Sequence, residues 1–280
     1  MSKNPRSLLK KHGLHPKKPW GQNFLVDQGL VDRIIDQLGA TEESTVLEFG
    51  AGTGALTFPL SERARKVFAV ERDRDLVELL EEEMEAPNVE IIAADAARFD
   101  FESIETPDDL LVIGNLPYNI TAPILFHLHD NRSKFKRAIL MVQKEVADRL
   151  AAQPEDGKDY SILSILFGAY FYVEQAIFVS KKYFFPRPKV DSVIILLEPL
   201  EQPLAPIDNE SFFQRTVKVA FAQRRKTLMN NLKAGFKDLE KEQLLSILEE
   251  LEIDPQQRGE TLTIAQFASL SNKLGVALGS

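Results

Sequence analysis

Five short, largely apolar runs, which do not alternate between apolar and polar residues, limit the folds that this chain can adopt. They are TVLEF (45–49), KVFAV (66–70), VEIIA (89–93), DLLVI (109–113) and AILMV (138–142). Strands that are apolar without alternation are buried on both faces, as in a mainly parallel sheet covered by helices. Amphipathic stretches long enough for crossover helices separate the runs. The pattern predicts a doubly wound α/β sheet, which later strands near YVEQAIFVS (172–180) and DSVIILLEP (191–199) would complete.

The character of the sequence changes after Pro199. The segment EQPLAPIDNE (201–210) is a polar connector that contains prolines, and the chain from Ser211 onward has helical periodicity without a convincing strand. We therefore predict two domains, an α/β domain over residues 1–200 and a small all-helical domain over residues 201–280.

The composition excludes several kinds of site and location. The chain has 280 residues and no cysteine, which excludes disulfides, thiolate metal sites and thiol nucleophiles. His127 and His129 lie close together in the sequence, but a partly exposed helix face explains them equally well, and we predict no metal site. No apolar run approaches the roughly 18 residues that a membrane span needs, and the N-terminus lacks the apolar centre of a secretory signal. We expect a cytoplasmic protein without a membrane partner.

A glycine-rich segment, EFGAGTG (48–54), overlaps the end of the first apolar run. Glycines such as Gly50 and Gly52 allow a tight turn and close approach of a ligand, and a helix that follows offers free amides. Dinucleotide sites usually carry G-x-G-x-x-G, whereas these glycines occupy alternate positions. The spacing favours S-adenosylmethionine over NAD as the cofactor, although this loop taken alone could also be a structural turn.

Carboxylates follow the second and third runs. Glu71 comes directly after Val70, where its side chain can accept hydrogen bonds from both hydroxyls of a ribose. Asp95, next to Ala96, follows the third run and can accept the amino group of an adenine. Either acid alone could be a solvated loop residue. Three successive strands that end in such groups predict a cofactor site at one edge of the sheet.

The fourth run leads into GNLPY (114–118), and here the chain resembles a known family. NLPY matches the [DNS]-P-P-[YFW] type motif of amino-methyltransferases, in the form found in adenine N6,N6-dimethyltransferases of ribosomal RNA. QNFL (22–25) resembles that family's N-terminal cofactor motif, and FFPRPKVDS (184–192) resembles its F-x-P-x-P-K-V-[DN]-S segment. FAQRRKTL (221–228), followed by NNL (230–232), is similar to its C-terminal helix signature. The resemblance covers about residues 17–232.

The resemblance implies a Rossmann-like class I methyltransferase sheet that binds S-adenosyl-L-methionine. The implied cofactor-binding residues are Gln22, Asn23, Leu25, Gly50, Gly52, Glu71, Asp95, Ala96 and Asn115. For Gln22 and Asn23 an alternative stays open, since they could simply cap the helix entered at Asp27.

The residue types in NLPY suit methyl transfer to an adenine amino group. That nitrogen is a poor nucleophile because its lone pair is delocalised into the ring. The side-chain oxygen of Asn115 and the carbonyl of Leu116 can accept from its two hydrogens and favour the pyramidal form, while Pro117 stiffens the turn. Tyr118 offers a flat face for the base, and Phe184 is a candidate second face unless it packs internally. Alignment of nitrogen, methyl and sulfur would then dominate the chemistry.

The resemblance also implies the substrate, which is two adjacent adenosines in a hairpin near the 3′ end of small-subunit ribosomal RNA. We expect the enzyme to be a monomer that acts on this RNA within a pre-assembled subunit, with naked RNA as the open alternative. The target base would have to leave its stack. The net charge of −8 argues against indiscriminate coating of RNA. Phosphate contacts are instead expected from local basic residues, which are Arg187, Lys189, Arg224, Arg225 and Lys226.

The last three of these basic residues are predicted to lie on one helical turn, with at least one of them anchoring the helix internally. Two alternative functions stay open. One is a large-subunit ribosomal RNA adenine methyltransferase of the macrolide-resistance class, and the other is a mainly non-catalytic ribosome assembly factor.

Overall fold

The structure is a computed structural model that describes residues 4–104 and 109–279; residues 1–3 and 280, at the ends of the two expected domains, lie outside it. The strands are β1 (Phe24–Leu25), β2 (Thr45–Phe49), β3 (Lys66–Glu71), β4 (Val89–Ala93), β5 (Leu111–Asn115), β6 (Arg137–Gln143), β7 (Phe171–Val179), β8 (Phe184–Phe185) and β9 (Ser192–Pro199). The helices are α1 (Pro5–Lys11), α2 (Gln28–Leu38), α3 (Thr57–Ser61), α4 (Arg74–Glu83), α5 (Thr121–Asp130), α6 (Lys144–Ala151), α7 (Ile162–Tyr170), α8 (Glu210–Ala220), α9 (Leu228–Gly235), α10 (Lys241–Glu250) and α11 (Ile264–Leu278). The predicted α/β architecture with a helical C-terminal region is confirmed.

Seven of the strands form one sheet in the order β4-β3-β2-β5-β6-β9-β7. The pairs from β4 to β6 are parallel, and β9 runs antiparallel to β6. The chain passes outward from β2 to β3 and β4, then returns to the other side of β2 with β5. Open α/β sheets bind their ligands at such a reversal, outside the carboxyl ends of the strands. β2 and β5 flank that position here.

The burial of the strands follows their position in the sheet. All five residues of the central strand β2 are buried, as its largely apolar, non-alternating run predicts. The run in β4 predicts the same, but β4 lies at the edge of the sheet and its residues are half-buried or exposed. An apolar run marks a strand of a parallel sheet without fixing whether the strand is central.

The chain divides into two compact units whose boundary differs from the one expected at residue 200. The first unit comprises the residues up to Ala147 together with Glu174–Pro199, and the second comprises Asp148–Val173 together with the residues from Leu200 onward. The segment Asp148–Val173 joins the C-terminal helices because α7 is apolar around most of its circumference and packs against α8 and α11. The pattern of residue types alone did not indicate that this segment belongs with the C-terminal helices. No helix in the described part of the chain is long and apolar enough to cross a membrane.

Candidate active site

A cavity of about 260 Å³ lies in the first unit, at the carboxyl ends of β2, β3 and β5. Most of the residues that the sequence predicted for a cofactor or a target base line it together, namely Gln22, Asn23, Leu25, Gly50, Gly52, Glu71, Asn115, Leu116, Pro117 and Tyr118. The structure therefore brings the four motifs QNFL, EFGAGTG, the acid after β3 and NLPY to one place.

The glycine-rich turn forms one wall of the cavity, and two of its glycines have left-handed backbone conformations. Gly50 has φ +76° and Gly52 has φ +60°. A Cβ atom on Gly50 would lie 3.3 Å from the carbonyl oxygen of Asn115, and one on Gly52 would lie 3.3 Å from the ring of Phe24. Glycine is needed at both positions because the conformation is strained for other residues and the walls approach closely.

Glu71 ends β3 and ties the glycine-rich turn to the start of α4. Its Oε2 accepts a hydrogen bond from the backbone N–H of Gly52 at 2.8 Å, and its Oε1 accepts from the N–H groups of Arg72 and Asp73, each at 2.8 Å. Burial raises the pKa of Glu71, although these three hydrogen bonds oppose the shift. The carboxylate is thus held in a fixed orientation at the cavity wall.

Glu48 is a cavity residue to which the sequence reasoning gave no role. Its side chain is 1 % exposed, and its Oε2 has no hydrogen-bond partner within residues 4–104 and 109–279. Burial raises the pKa of Glu48 to about 7, and the negative charge of Glu71 adds to the effect. The hydroxyl of Thr53, also on the cavity wall, is buried and unpaired among the same residues. An acid within the otherwise apolar run TVLEF was the available signal.

The raised pKa of Glu48 predicts a specific pH dependence of stability. Between its ordinary value of 4.5 and about 7, the unfolded chain releases the proton while the folded protein retains it. Stability is therefore lost as the pH rises through this window, by about 3 kcal/mol. Glu48→Gln lacks this loss. The free energy of unfolding of the variant minus that of the parent, both measured in urea, should therefore increase by that amount from pH 4.5 to 8. A constant difference, as expected for the exposed control Glu43→Gln, would contradict the assignment.

Asn115, the last residue of β5, holds its amide in one orientation. Its Nδ2 donates to the backbone carbonyl of Asn23 at 2.9 Å, and its Oδ1 accepts no hydrogen bond from any residue that the structure describes. A carbonyl can only accept, so this contact fixes which amide atom is the oxygen. Asn115 therefore offers a free acceptor beside the cavity.

The rest of NLPY forms a closed turn. The carbonyl of Pro117 accepts from the backbone N–H of Ile120 and from the hydroxyl of Thr121, both at 3.1 Å. Leu116 is buried at 1 % exposure. The half-buried Tyr118 lies in the middle of this turn, and its hydroxyl is 2.8 Å from the hydroxyl of Ser192. Burial raises the pKa of Tyr118, so the phenol is neutral at physiological pH.

The N-terminal motif closes the cavity from another side. Gln22 accepts from the backbone N–H of Lys17 and donates to Asp73 at the start of α4, both at 2.7 Å. The N-cap of α2 is Asp27, which accepts from the backbone N–H of Leu30 at 2.8 Å. The alternative that Gln22 and Asn23 cap this helix is therefore wrong.

Three predicted residues do not line the cavity. Asp95 caps a short 3₁₀ turn and forms an ion pair with Arg72, which does line it, at 3.4 Å. Ala96 is buried next to it. Phe184 is 2 % exposed and packs in the main hydrophobic cluster of the sheet, so its ring has no face open to a base. The stacking role predicted for Phe184 has no support from the structure.

Trp20 is a second cavity residue that the sequence reasoning missed. Its side chain is 39 % exposed, and the charged groups of Arg72 and Lys17 each lie 5.3 Å from its ring centroid. It is the only tryptophan in the chain, so its fluorescence reports on this wall of the cavity alone. A lone tryptophan next to the QNFL motif was the available signal.

The predicted RNA-binding residues lie on both units. Arg187 and Lys189 are exposed between β8 and β9 in the first unit. Arg225 and Lys226 are exposed in the second unit and pair with no acid among the described residues. The prediction that they lie on a helical turn is wrong, because α8 ends at Ala220 and the segment forms the turns before α9. 

Arg224 differs from its neighbours because it is bound within the second unit. Its guanidinium contacts the carboxylate of Glu260 at 2.7 Å and donates to the backbone carbonyl of Lys158 at 2.8 Å. Longer hydrogen bonds reach the carbonyls of Gly157 and Tyr160. Arg224 is therefore the internal anchor among the three basic residues, and its predicted phosphate contact is not supported.

Arg224→Gln should destabilise the protein. The change removes an ion pair and hydrogen bonds that join three separated segments of the second unit, at a cost of about 1–2 kcal/mol because the group is partly exposed. Arg225→Gln is the matched control and should stay within about 0.5 kcal/mol of the parent. Urea unfolding of both variants measures the difference. Equal stabilities would show that the Arg224 contacts are energetically unimportant.

Comparisons with known proteins agree with this arrangement. The family model described as "Ribosomal RNA adenine dimethylase" matches residues 13–273. A protein of Myxococcus xanthus (strain DK1622), named "Ribosomal RNA small subunit methyltransferase A", is 43% identical over 272 residues, which is 97% of this chain and 95% of that protein. A protein of the same name from Bacillus mycoides (strain KBAB4) is 44% identical over 278 residues, covering 96% of this chain and 94% of its own.

Two solved structures are also similar. A dimethyladenosine transferase from Plasmodium falciparum has a TM-score of 0.77 and 30% identity, covering 90% of this chain and 98% of its own. The 23S rRNA methyltransferase ErmE has a TM-score of 0.67 and 25% identity, covering 90% of this chain and 99% of its own. Since the family model spans nearly the whole chain and the curated relatives match it over nearly their whole lengths, the protein belongs to the ribosomal RNA adenine dimethylase family.

Proposed function

We propose that the protein transfers methyl groups from S-adenosyl-L-methionine to N6 of two adjacent adenosines in a hairpin near the 3′ end of small-subunit ribosomal RNA, giving N6,N6-dimethyladenosines. The observation that carries this proposal is the free acceptor of Asn115 at the end of β5, in a residue that lines the same cavity as the glycine-rich turn after β2. Family membership supports the reaction class, and relatives named for the small subunit support the substrate.

The residues present suit the cofactor. The turn at Gly50 and Gly52 leaves room that a Cβ would fill, Glu71 presents a fixed carboxylate for ribose hydroxyls, and the unpaired oxygen of Glu48 suits a positively charged group. When bound, S-adenosylmethionine supplies an activated methyl group on a sulfonium. Gln22, Asn23 and Leu25 would enclose it from the N-terminal side, while Asp95 and Ala96, beyond Arg72, would contact its adenine.

The NLPY turn would hold the target base. Asn115 Oδ1 and the carbonyl of Leu116 would accept from the amino hydrogens and favour the pyramidal nitrogen that attack requires. The closed turn at Pro117 keeps both acceptors in place without rearrangement during reaction. Tyr118 would stack on the flipped-out base. These residues act by position and hydrogen bonding, with no proton removed before attack.

The exposed basic residues would bind RNA phosphates. Arg187 and Lys189 belong to one unit and Arg225 and Lys226 to the other, so each unit would contribute its own contacts. We further propose that the substrate is a pre-assembled small subunit, that the protein acts as a monomer, and that it is cytoplasmic, since its relatives are named for ribosomal RNA.

Removing the two exposed charges of the second unit should weaken RNA binding. Each phosphate contact contributes about 0.7 to 0.9 to the slope of log affinity against log salt concentration, so Arg225→Gln with Lys226→Gln should lower both affinity and slope. Binding of S-adenosylmethionine should not change. Filter binding over a salt series tests this, with Arg63→Gln and Lys66→Gln, which remove two cations already paired with acids, as the control. An unchanged slope would contradict the phosphate contacts.

The proposed substrate is tested with separated ribosomal subunits. The protein is incubated with radiolabelled S-adenosylmethionine and with small or large subunits that lack the modification. We expect label in the small-subunit RNA only. Label in the large-subunit RNA would instead support the activity for which ErmE is named, and RNA binding without label would support a non-catalytic assembly factor.

A further inference from the structure

We propose that Ser192 is a positioning residue, whose hydroxyl fixes the position of the Tyr118 ring by holding the phenol hydroxyl. The two oxygens are 2.8 Å apart, although 74 residues separate them in the chain. The inference rests on the proposed function, because it assigns to Ser192 the task of keeping the stacking face for the target base in one orientation.

Tyr118 needs such an anchor because its backbone does not supply one. It is a central residue of the turn from Pro117 to Ile120, between the end of β5 and the start of α5. Its side chain is half-buried and lines the cavity, so the surrounding side chains do not enclose it completely. A second point of attachment at the far end of the ring limits rotation about the Cα–Cβ bond, and the preference of a phenol O–H for the plane of its ring opposes rotation of that plane.

Ser192 is a rigid point of attachment. It is 0 % exposed, begins β9 and pairs with Gln143 of β6. The preceding residue, Asp191, is held twice, since its backbone carbonyl accepts from Lys144 N–H at 3.1 Å and its carboxylate accepts from Lys181 N–H at 2.8 Å. These contacts hold the start of β9 in place, and the Ser192 hydroxyl is therefore held in place beside Tyr118.

The chemistry of the pair supports the same assignment. Within the described ranges, Tyr118 is the hydrogen-bond partner of the Ser192 side chain, and a buried hydroxyl is costly to leave unpaired. Because burial keeps the phenol neutral, Tyr118 retains its proton and the hydrogen bond persists over the physiological pH range. The hydroxyl is thereby directed into the protein, and the ring face is what remains for a base.

The test is a double-mutant cycle measured by methyl transfer to small-subunit RNA. Ser192→Ala and Tyr118→Phe each remove the same hydrogen bond from one side, and each should lower kcat about 3- to 10-fold while KM for S-adenosylmethionine stays unchanged. The double variant should match the single variants, because one interaction cannot be lost twice. Ser44→Ala is the control. Ser44 is also buried and hydrogen-bonded, but it precedes β2 and so lies at the amino end of that strand, whereas the cavity lies at the carboxyl end. The control variant should leave kcat unchanged.

Multiplicative losses in the double variant, or a parental kcat in either single variant, would overturn the role of Ser192. Should Ser192→Ala fail to fold, Tyr118→Phe still decides, because a kcat equal to the parent's would show that the hydrogen bond does not position the ring. A parent protein that transfers no methyl group to RNA would overturn the proposed function and this inference with it. An active parent with independent variants would overturn this inference alone.

Discussion

Asn115→Ala is expected to lower kcat by about 10²- to 10³-fold, the size of effect seen when one group that stabilises a transition state is removed. The variant loses the free acceptor that favours the pyramidal amino nitrogen. It also loses the hydrogen bond to the carbonyl of Asn23, so a smaller loss of cofactor affinity should accompany the loss of turnover. Single-turnover methyl transfer measures the first effect, and calorimetric titration with S-adenosylmethionine measures the second.

RNA affinity provides the control for this experiment, because the acceptor acts mainly as the nitrogen changes geometry. We expect filter binding of RNA to be nearly unchanged in Asn115→Ala. The control variant is Asn119→Ala, which truncates an exposed amide that also lines the cavity but donates to the carbonyl of Pro19 at 3.4 Å and has no proposed contact with the amino group; it should retain most of the parental rate. Parental turnover in Asn115→Ala would remove Asn115 from the proposed chemistry.

Glu71→Gln is expected to weaken binding of S-adenosylmethionine by about 100-fold or more. Hydrogen bonds to a charged acceptor are worth about 1.5 to 3 kcal/mol each, and the amide replaces the charge that would accept from the ribose. In either orientation the amide also places an N–H against a backbone N–H, that of Gly52 or those of Arg72 and Asp73, where the carboxylate accepts at 2.8 Å. Glutamine is preferable to alanine here, because alanine would leave all three backbone donors around Glu71 unpaired.

Isothermal calorimetry of Glu71→Gln should be compared with Glu78→Gln, which makes the same charge change on the exposed face of α4. A thermal melt of each variant verifies that it is folded. Equal affinities of a folded Glu71→Gln and the parent would exclude Glu71 from the cofactor site.

The sequence predicted the parts of the site that depend on strand ends. Largely apolar, non-alternating runs indicate a parallel sheet. The residues after each run must then meet at one edge, which predicted correctly that Glu71, Asn115 and the glycine-rich turn lie together. The position of a residue directly after an apolar run predicts where the backbone places that residue. It predicts little about side chains whose role depends on packing, and for that reason Phe184 was assigned to the site although it lies in the core.

The features that the sequence did not predict arise from long-range contacts. Arg224 is an anchor because Glu260 and the backbone near Tyr160, both distant in the chain, converge on it. The importance of Glu48 comes from its burial with one carboxylate oxygen, Oε2, unpaired among the described residues, and burial is a property of the folded chain. The segment Asp148–Val173 joins the helical unit through an apolar helix that periodicity alone places equally well in either unit.

The measurement that tests the central claim most directly is nucleoside mass spectrometry of small-subunit RNA after reaction with the parent protein and with Asn115→Ala. The account predicts N6,N6-dimethyladenosine at two adjacent positions near the 3′ end with the parent, and almost none with the variant at the same time point. Methylation at another atom or another nucleotide, or equal dimethylation by the two proteins, would contradict it.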